Sequence, residues 1–454
     1  MKTYLFCIAI LLGWPQAAAQ AKVFEHTLKN GLKVIVNEDH RAPVVVQQIW
    51  YKAGSMDEET GVSGIAHVLE HMMFKGTKTV PAGEFSNRIA AAGGRENAFT
   101  SYDYTAYFQR LHKSRLPLAM KLEADRMRNL KLTAAEFAKE VNVVKEERRT
   151  RTDDEPRALM NEKMMATIYQ EHPYRHPVIG WMSDLEALKV SDAKAWYDRW
   201  YAPNNATLVI AGDVKAAEVF ALAQRYYGSI PRRAQPPRRE FTEPQQAGIK
   251  RLVVKAPAEL PHLVMSYHAP TLRKPEQDWK PYALDILAGV LDGNESARLN
   301  KHLVREQQIA SGAGAGYESV SRGPGLFTLA ATPSKGKTVA EVEAALRQEI
   351  TLLVKEGVSE EELKRVKAQV MAGEVYKLDS VFYQAMQIGQ MESIGLGHQV
   401  IPVILEKLKA VTAEQVRQVA GEFLQDDNLT VAVLDPQPLS GKLKSENKGM
   451  SHAH

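Results

Sequence analysis

Cysteine is all but missing from this sequence: 454 residues contain one, Cys7. A disulfide needs two, so no bridge within the chain can staple the fold. An excess of one charge is missing as well. Lys plus Arg (58) against Asp plus Glu (54) leaves +4, and no run of like charge is long enough to form a polyelectrolyte tail. That balance gives no reason to expect a nucleic-acid partner. With 29 Gly and 22 Pro the chain is neither collagen-like nor of low complexity. What remains, 44% hydrophobic and 25% charged residues, is an ordinary globular composition at a length that suits about two to four domains.

The only long apolar run stands at the start. Met1-Lys2 precedes Tyr4–Leu12, followed by Pro15 and the small residues Ala17-Ala18-Ala19-Gln20-Ala21. A basic start, an apolar stretch and a small-residue cleavage site make a signal peptide, here 1–21. The run is well short of the roughly 20 residues needed to span a bilayer. Cleavage after Ala19 or Ala21 discards Cys7, so the exported chain would have no thiolate ligands. The expected location is the periplasm, with secretion the alternative, and no membrane span after cleavage.

Beyond Lys22 the pattern is α+β. Strand-like segments at 31–36 and 44–51 lead to helical patterns at 62–75 and 83–93, a strand over 98–111, helices over 114–130 and 133–151, and a buried strand at 207–213. The stretch 229–249, with Pro231, Pro236, Pro237 and four arginines at 232, 233, 238 and 239, reads as an extended linker with a solvated basic face. After it the order of elements starts again. Thr133 and Ser359 each precede a glutamate by three residues at a helix start, a capping pattern shared by the two halves. The expectation is a duplicated α+β protein: two similar α/β-sandwich halves, 22–228 and 250–435, each an antiparallel-rich sheet packed with helices, closing as a clamshell, with a polar tail over 436–454.

The sharpest chemical signal is His67-Val68-Leu69-Glu70-His71. On a helix, residues four apart lie one turn above each other, so His67 and His71 share a face, with Glu70 beside them. Ile65, Leu69, Met72 and Met73 lie opposite and can anchor the helix. Two imidazoles and an adjacent carboxylate suit one metal ion and a general base for water, in the inverted order of the zinc-peptidase motif. A third ligand is needed. Glu140 and Glu147, two helical turns apart with Val143 and Val144 between them, form a carboxylate stripe that wants a positive partner. Either could serve.

HVLEHMMFKGT, ENAFTSYDYTAYF, KEVNVVKEERRTRTDDEPR and HPYRHPVIG together resemble the pitrilysin/insulinase family of zinc metallopeptidases, in its bacterial processing-peptidase-like branch. The resemblance implies an endopeptidase with one Zn2+ per chain, held by His67, His71 and Glu147, with Glu70 as general base and Glu140 as a supporting acid. It implies that a peptide or unfolded polypeptide adds as a strand along Asn97-Ala98-Phe99-Thr100-Ser101. A non-catalytic peptide-binding or scaffold subunit of the same fold is the alternative. The family's substrate-holding arginine matches Arg305, but the tyrosine seven residues on has no counterpart: Ser311 and Gly312 stand there, and Tyr317 lies further along. The missing group implies a second, similar subunit, as a heterodimer or a homodimer.

Other features are set aside. Pro173 and Pro177 argue against a helix through His172 and His176. His452 and His454 belong to the tail. Gly312-Ala313-Gly314-Ala315-Gly316 lacks the lysine of a phosphate loop and reads as a surface or hinge loop.

Overall fold

A computed structural model describes residues 22–439. Residues 1–21 with Cys7, expected from sequence as a signal peptide, and His452 and His454 lie outside the described residues. The first half runs β1 (Lys22–Thr27), β2 (Lys33–Glu38), β3 (Val44–Tyr51), α1 (Ile65–Met72), α2 (Glu84–Ala91), β4 (Arg95–Thr100), β5 (Thr105–His112), α3 (Leu116–Asn129), α4 (Ala134–Arg148), α5 (Pro156–Ile168), α6 (Met182–Ala187), α7 (Val190–Trp200), β6 (Ala206–Gly212) and α8 (Ala216–Tyr227). The second runs β7 (Lys250–Pro257), β8 (His262–Ala269), α9 (Lys280–Asp292), β9 (Ala310–Tyr317), β10 (Gly325–Pro333), α10 (Val339–Glu356), α11 (Glu360–Asp379), α12 (Val381–Ile394), α13 (Val400–Ala410), α14 (Ala413–Phe423) and β11 (Leu429–Gln437).

The duplication is plain in the sheets. Their orders are β1-β2-β6-β3-β5-β4 and β7-β11-β8-β10-β9. Leaving out β1, each sheet has one parallel pair, β2 with β6 and β7 with β11, followed by antiparallel neighbours. The edge strands β4 and β9 therefore occupy equivalent places. Both caps expected from sequence form: Thr133 accepts from Glu136 N at 3.3 Å, and Ser359 from Glu362 N at 3.2 Å.

Each central strand is covered on both faces, which explains its nearly unbroken apolar sequence. Along β3, Val45, Ile49 and Tyr51 face the first half's own core with α1, α3 and α7. Val46 and Trp50 face the other way, against Ala385 and Ile388 of α12, a helix of the second half. The exchange is reciprocal. Met160, Met164 and Ile168 of α5 cover Val254, Val264, Ala432 and Leu434 of the second sheet. The approach of α12 is close enough that a Cβ on Gly389 would lie 2.0 Å from the Trp50 ring. The two expected halves are present, and they are interlocked through exchanged helices rather than hinged on the linker alone.

Several boundaries differ from expectation. The strand over 98–111 is a hairpin, β4 and β5, turning at Ser101–Tyr104. The Gly312–Gly316 segment is no loop: it lies inside β9, paired with β10 from Phe327↔Tyr317 to Thr332↔Gly312. The partner strand supplies the order that glycine and alanine cannot supply alone. The tail begins later than 436, because β11 pairs with β7 as far as Gln437↔Pro257. The linker is extended, as expected, but its arginines are not all solvated. Arg233 donates to Tyr197 O at 2.9 Å, and Arg238 pairs with Asp57 at 2.9 Å over the Trp200 ring.

Candidate metal centre and active site

α1 presents the motif as its periodicity requires. Ile65, Val68, Leu69 and Met72 are buried in the first core, which fixes the rotation of the helix and turns His67 and His71 outward, their rings 4.9 Å apart. α4 packs against α1 through Phe137, Val141 and Val144. Val143, expected on the carboxylate face, is exposed instead. The register brings Glu147 Oε2 to 3.9 Å from His67 Nε2 and 3.5 Å from His71 Nε2. One ligand atom from each residue can be chosen so that all lie within 4.8 Å of one another. Tetrahedral Zn2+ with bonds of about 2.0–2.1 Å wants its ligand atoms about 3.3 Å apart, so a small inward adjustment completes a three-ligand site. The set fits zinc, and it leaves a coordination position for water or substrate.

Glu140 plays a different part. Its Oε2 is 3.4 Å from His71 Nδ1, while its Oε1 pairs with Lys75 Nζ at 2.8 Å. A carboxylate on the far nitrogen fixes the tautomer and tilt of a ligand imidazole. The other oxygen of Glu147 pairs with Arg151. His67 Nδ1 is buried and has no hydrogen-bond partner among the described residues. Glu146 points into solvent and pairs with Arg149.

The electrostatics suit a cation. Burial, helped by the neighbouring His71, drives the His67 pKa down to about 4, leaving the neutral imidazole that binds metals. Burial also opposes a charge on His71, but Glu140 and Glu147 outweigh it and lift His71 to about 9. Burial likewise opposes ionisation of Glu147, yet hydrogen bonding to His71 and the charges of Arg151 and His71 hold it at about 2. Burial raises the Glu70 carboxyl, the direction useful to a group that must accept a proton and return it.

Glu70 is also tied to the edge strand. Thr100 Oγ1 donates to Glu70 Oε2 at 2.5 Å. β4 is the last strand of its sheet, so among the described residues its outer backbone groups have no strand partner. Asn97 is exposed with its Oδ1 on Ala98 N at 2.8 Å, Ala98 packs on the first core, and Phe99 meets Trp50 edge-on at 5.5 Å. The structure thus brings together His67, Glu70, His71, Glu140, Glu147 and β4. Arg305 is exposed on a π-helical turn, Asn300–Glu306, of the second half, and among the described residues it makes no ion pair with these carboxylates. Ser311 bonds within its own sheet, to Thr332 O at 3.3 Å.

A clasp that sequence reading missed joins the two ligand helices. Gly64, with φ +86°, begins α1, and Glu58 accepts from Gly64 N at 2.9 Å and Ala66 N at 2.8 Å. Gly180, with φ +87°, packs so closely on Ser63 that a Cβ there would lie 2.5 Å from Ser63 O. Arg148, next to Glu147, donates to Gly180 O at 2.9 Å and to Glu162 at 2.6 and 2.8 Å. Ser63 Oγ donates to Asp184 Oδ2 at 2.5 Å. Gly180 and Asp184, just beyond the proline-flanked histidines set aside above, thus tie the start of α1 to the end of α4. His172 serves there as a cap, with Nδ1 accepting from Tyr174 N at 3.2 Å, and His176 accepts from the Trp181 indole at 3.0 Å.

Paired α+β halves with an inverted His-x-x-Glu-His helix in the first define a class, the inverted-motif metallopeptidase fold. Residues 33–180 match the family profile described as Insulinase (Peptidase family M16), and residues 187–370 match that of the Peptidase M16 inactive domain. The zinc protease PqqE of Helicobacter pylori is 33% identical over 362 residues, 78% of this chain and 80% of that protein. The chain belongs to the insulinase family, peptidase family M16. An uncharacterised zinc protease of Mycobacterium leprae is 28% identical over 93% of both chains. Among solved structures, a protease from Helicobacter pylori superposes with a TM-score of 0.87 at 29% identity, covering 92% of this chain and all of that one. The periplasmic protease PqqL of Escherichia coli shares the fold at 18% identity and a TM-score of 0.79, over 94% of this chain but 50% of that one. In the second half α9, which follows β8 as α1 follows β3, has the sequence KPYALDILAGVLD and carries no histidine.

Proposed function

We propose that this protein is a zinc-dependent endopeptidase acting on peptides or unfolded polypeptides outside the cytoplasm, exported by the segment 1–21. The observation that carries the reading is the convergence of His67, His71 and Glu147 beside Glu70 at an open sheet edge. A zinc ion held by those three residues supplies Lewis-acid polarisation of a scissile carbonyl and of water. β4 receives the peptide by main-chain hydrogen bonds, which position any side-chain sequence. Glu70, steadied by Thr100, accepts the proton of the attacking water and delivers it to the leaving amine. Glu140 keeps His71 in the required tautomer.

Metal analysis and turnover of a quenched peptide test the reading together. One zinc per chain is expected, removed by chelator along with activity. Glu70→Gln keeps the zinc and loses hydrolysis, whereas His67→Ala loses both. A chain that takes up no zinc under any loading condition, yet binds peptides, is the non-catalytic subunit instead.

The proposal extends to a second, similar subunit, heterologous or identical, closing over the site. What supports it is the sequence: seven residues after Arg305 stands Gly312, where the resemblance implies a tyrosine that helps hold the substrate. The mass of the active species reads this directly: an active lone monomer, unchanged by any partner, excludes it.

A further inference from the structure

Under the edge strand runs a buried polar network that takes no part in holding the metal. Gln47 of β3, Gln109 of β5 and Glu96 of β4 stand level across the sheet, because the register pairs Gln47 with Gln109 and Gln109 with Glu96. Gln47 Nε2 donates to Gln109 Oε1 at 2.8 Å, and Gln109 Nε2 donates to Glu123 Oε2 of α3 at 3.0 Å. Arg126, three residues further along α3, donates to both oxygens of Glu123, at 2.6 and 2.7 Å. Gln47, Gln109, Glu123 and Arg126 are wholly buried. The Arg126 guanidinium is boxed by three rings: Phe74, just past α1, at 5.1 Å, and Phe85 of α2 and Tyr107 of β5, each at 4.3 Å.

The network is open at one end. Arg126 Nη1 and both carboxylate oxygens of Glu96 are buried, and none of them completes a hydrogen bond among the described residues. Burial raises the Glu96 carboxyl, and the Arg126 charge and the Ser86 hydroxyl oppose that rise. A buried charge without a partner is unfavourable. The arginine and the carboxylate therefore attract each other, which draws β4 towards α3.

That attraction reaches the chemistry along the strand. Side chains alternate on a strand, so Glu96, Ala98 and Thr100 share one face. It is the face turned to the ligand helix: Ala98 packs on the first core and Thr100 donates to Glu70. Four residues, about 13 Å of strand, separate Glu96 from Thr100. Among the described residues β4 is paired on one side only, to β5, so its height over α1 depends on what its inner face grips. We infer that Arg126 and Glu96 are positioning residues that fix β4 over α1 and so hold Thr100 against Glu70. The inference rests on the peptidase reading above and adds to it the group that aligns the substrate strand with the base.

Double-mutant cycles on turnover of a quenched peptide read the inference. Glu96→Gln keeps the shape and removes the charge, while Arg126→Lys keeps a cation beside Glu123 and gives up the planar fork. Each is expected to lower kcat per bound zinc about fivefold, with KM and zinc content within about twofold of the native values. Combined, they lower it no further than either alone. In the Thr100→Val protein neither has any further effect, because the bond they hold is already gone. A network that serves stability alone lowers the melting temperature and adds its loss to that of Thr100→Val. Additive losses, or native kcat in both variants, overturn the inference. Amide hydrogen exchange of the zinc-loaded protein reads the same claim without catalysis. Faster exchange over 95–100 in both variants, with α1 still protected, is expected, and unchanged exchange there sinks the inference. If the native zinc-loaded protein hydrolyses no peptide, the peptidase reading falls alone, and exchange still decides what holds β4.

Discussion

Thr100 is the side chain through which the substrate strand reaches the proton-transfer group. A hydroxyl bonded to a carboxylate contributes about 1.5–3 kcal/mol where charge is involved, and here it also fixes the rotamer of Glu70. Thr100→Val keeps the shape and removes the donor. The expected outcome is a fall of about tenfold or more in kcat with zinc content unchanged, measured by steady-state turnover beside metal analysis. His67, Glu70 and His71 were legible in the sequence because their geometry is local: spacing of three and four on a helix fixes a shared face. Glu140 and Glu147 were half legible, since two turns place them together but only the packing of α4 on α1 decides which meets the imidazoles. Thr100 was not legible at all. It lies 30 residues from Glu70 on another element, and nothing local in a strand threonine announces such a bond.

At the scale of elements, the register of α1 against α4 matters most, and two glycines and an arginine set it. Gly180 has a left-handed φ of +87° and no room for a Cβ beside Ser63 O. Gly180→Ala must therefore both strain the backbone and push the start of α1 away from Arg148. Zinc affinity is expected to drop by about tenfold or more, read by competition with a chromophoric chelator, with a lower melting temperature alongside. β9 shows the complementary limit of sequence reading. Gly312–Gly316, glycine-rich, reads from sequence as a surface or hinge loop, since alternating Gly and Ala have poor strand propensity on their own. The register from Phe327↔Tyr317 onward makes it a strand because β10 supplies the ladder. The linker arginines were misjudged for a similar reason: composition cannot reveal that Trp200 and Asp57 lie beneath them.

For the whole molecule, the contact between the halves has an acid-sensitive component. Glu392 on α12 accepts from Lys33 of β2 at 3.0 Å and meets His398 at 2.8 Å. Burial opposes its ionisation, but the bonds from His398 and Lys33 prevail and hold it at about 2, below the ordinary 4.5. A carboxyl depressed in the folded state adds stability above the unfolded value, and that stability is lost as pH falls from about 4.5 towards 2. The native protein is expected to lose unfolding free energy over that window more steeply than Glu392→Gln, which begins less stable at pH 7. Urea titrations at pH 7, 4 and 3 measure both slopes, and parallel slopes would refute the assignment. The duplication itself was legible, because strand order and capping patterns repeat. The exchange of α5 and α12 was not, because a helix does not reveal in its sequence whose sheet it will cover.

That exchange has a consequence for how the chain comes into being. Ile35, Val46, Trp50 and Val209 acquire their cover only when α12 arrives. Roughly 170 residues separate β6 from α12, and at about 5–20 residues per second the wait during synthesis is on the order of ten to thirty seconds. Throughout that interval the first sheet presents a bare apolar face of the kind that draws strangers together. The newborn first half cannot finish folding without its sibling, so whatever escorts the chain must hold it open until the last quarter has been made.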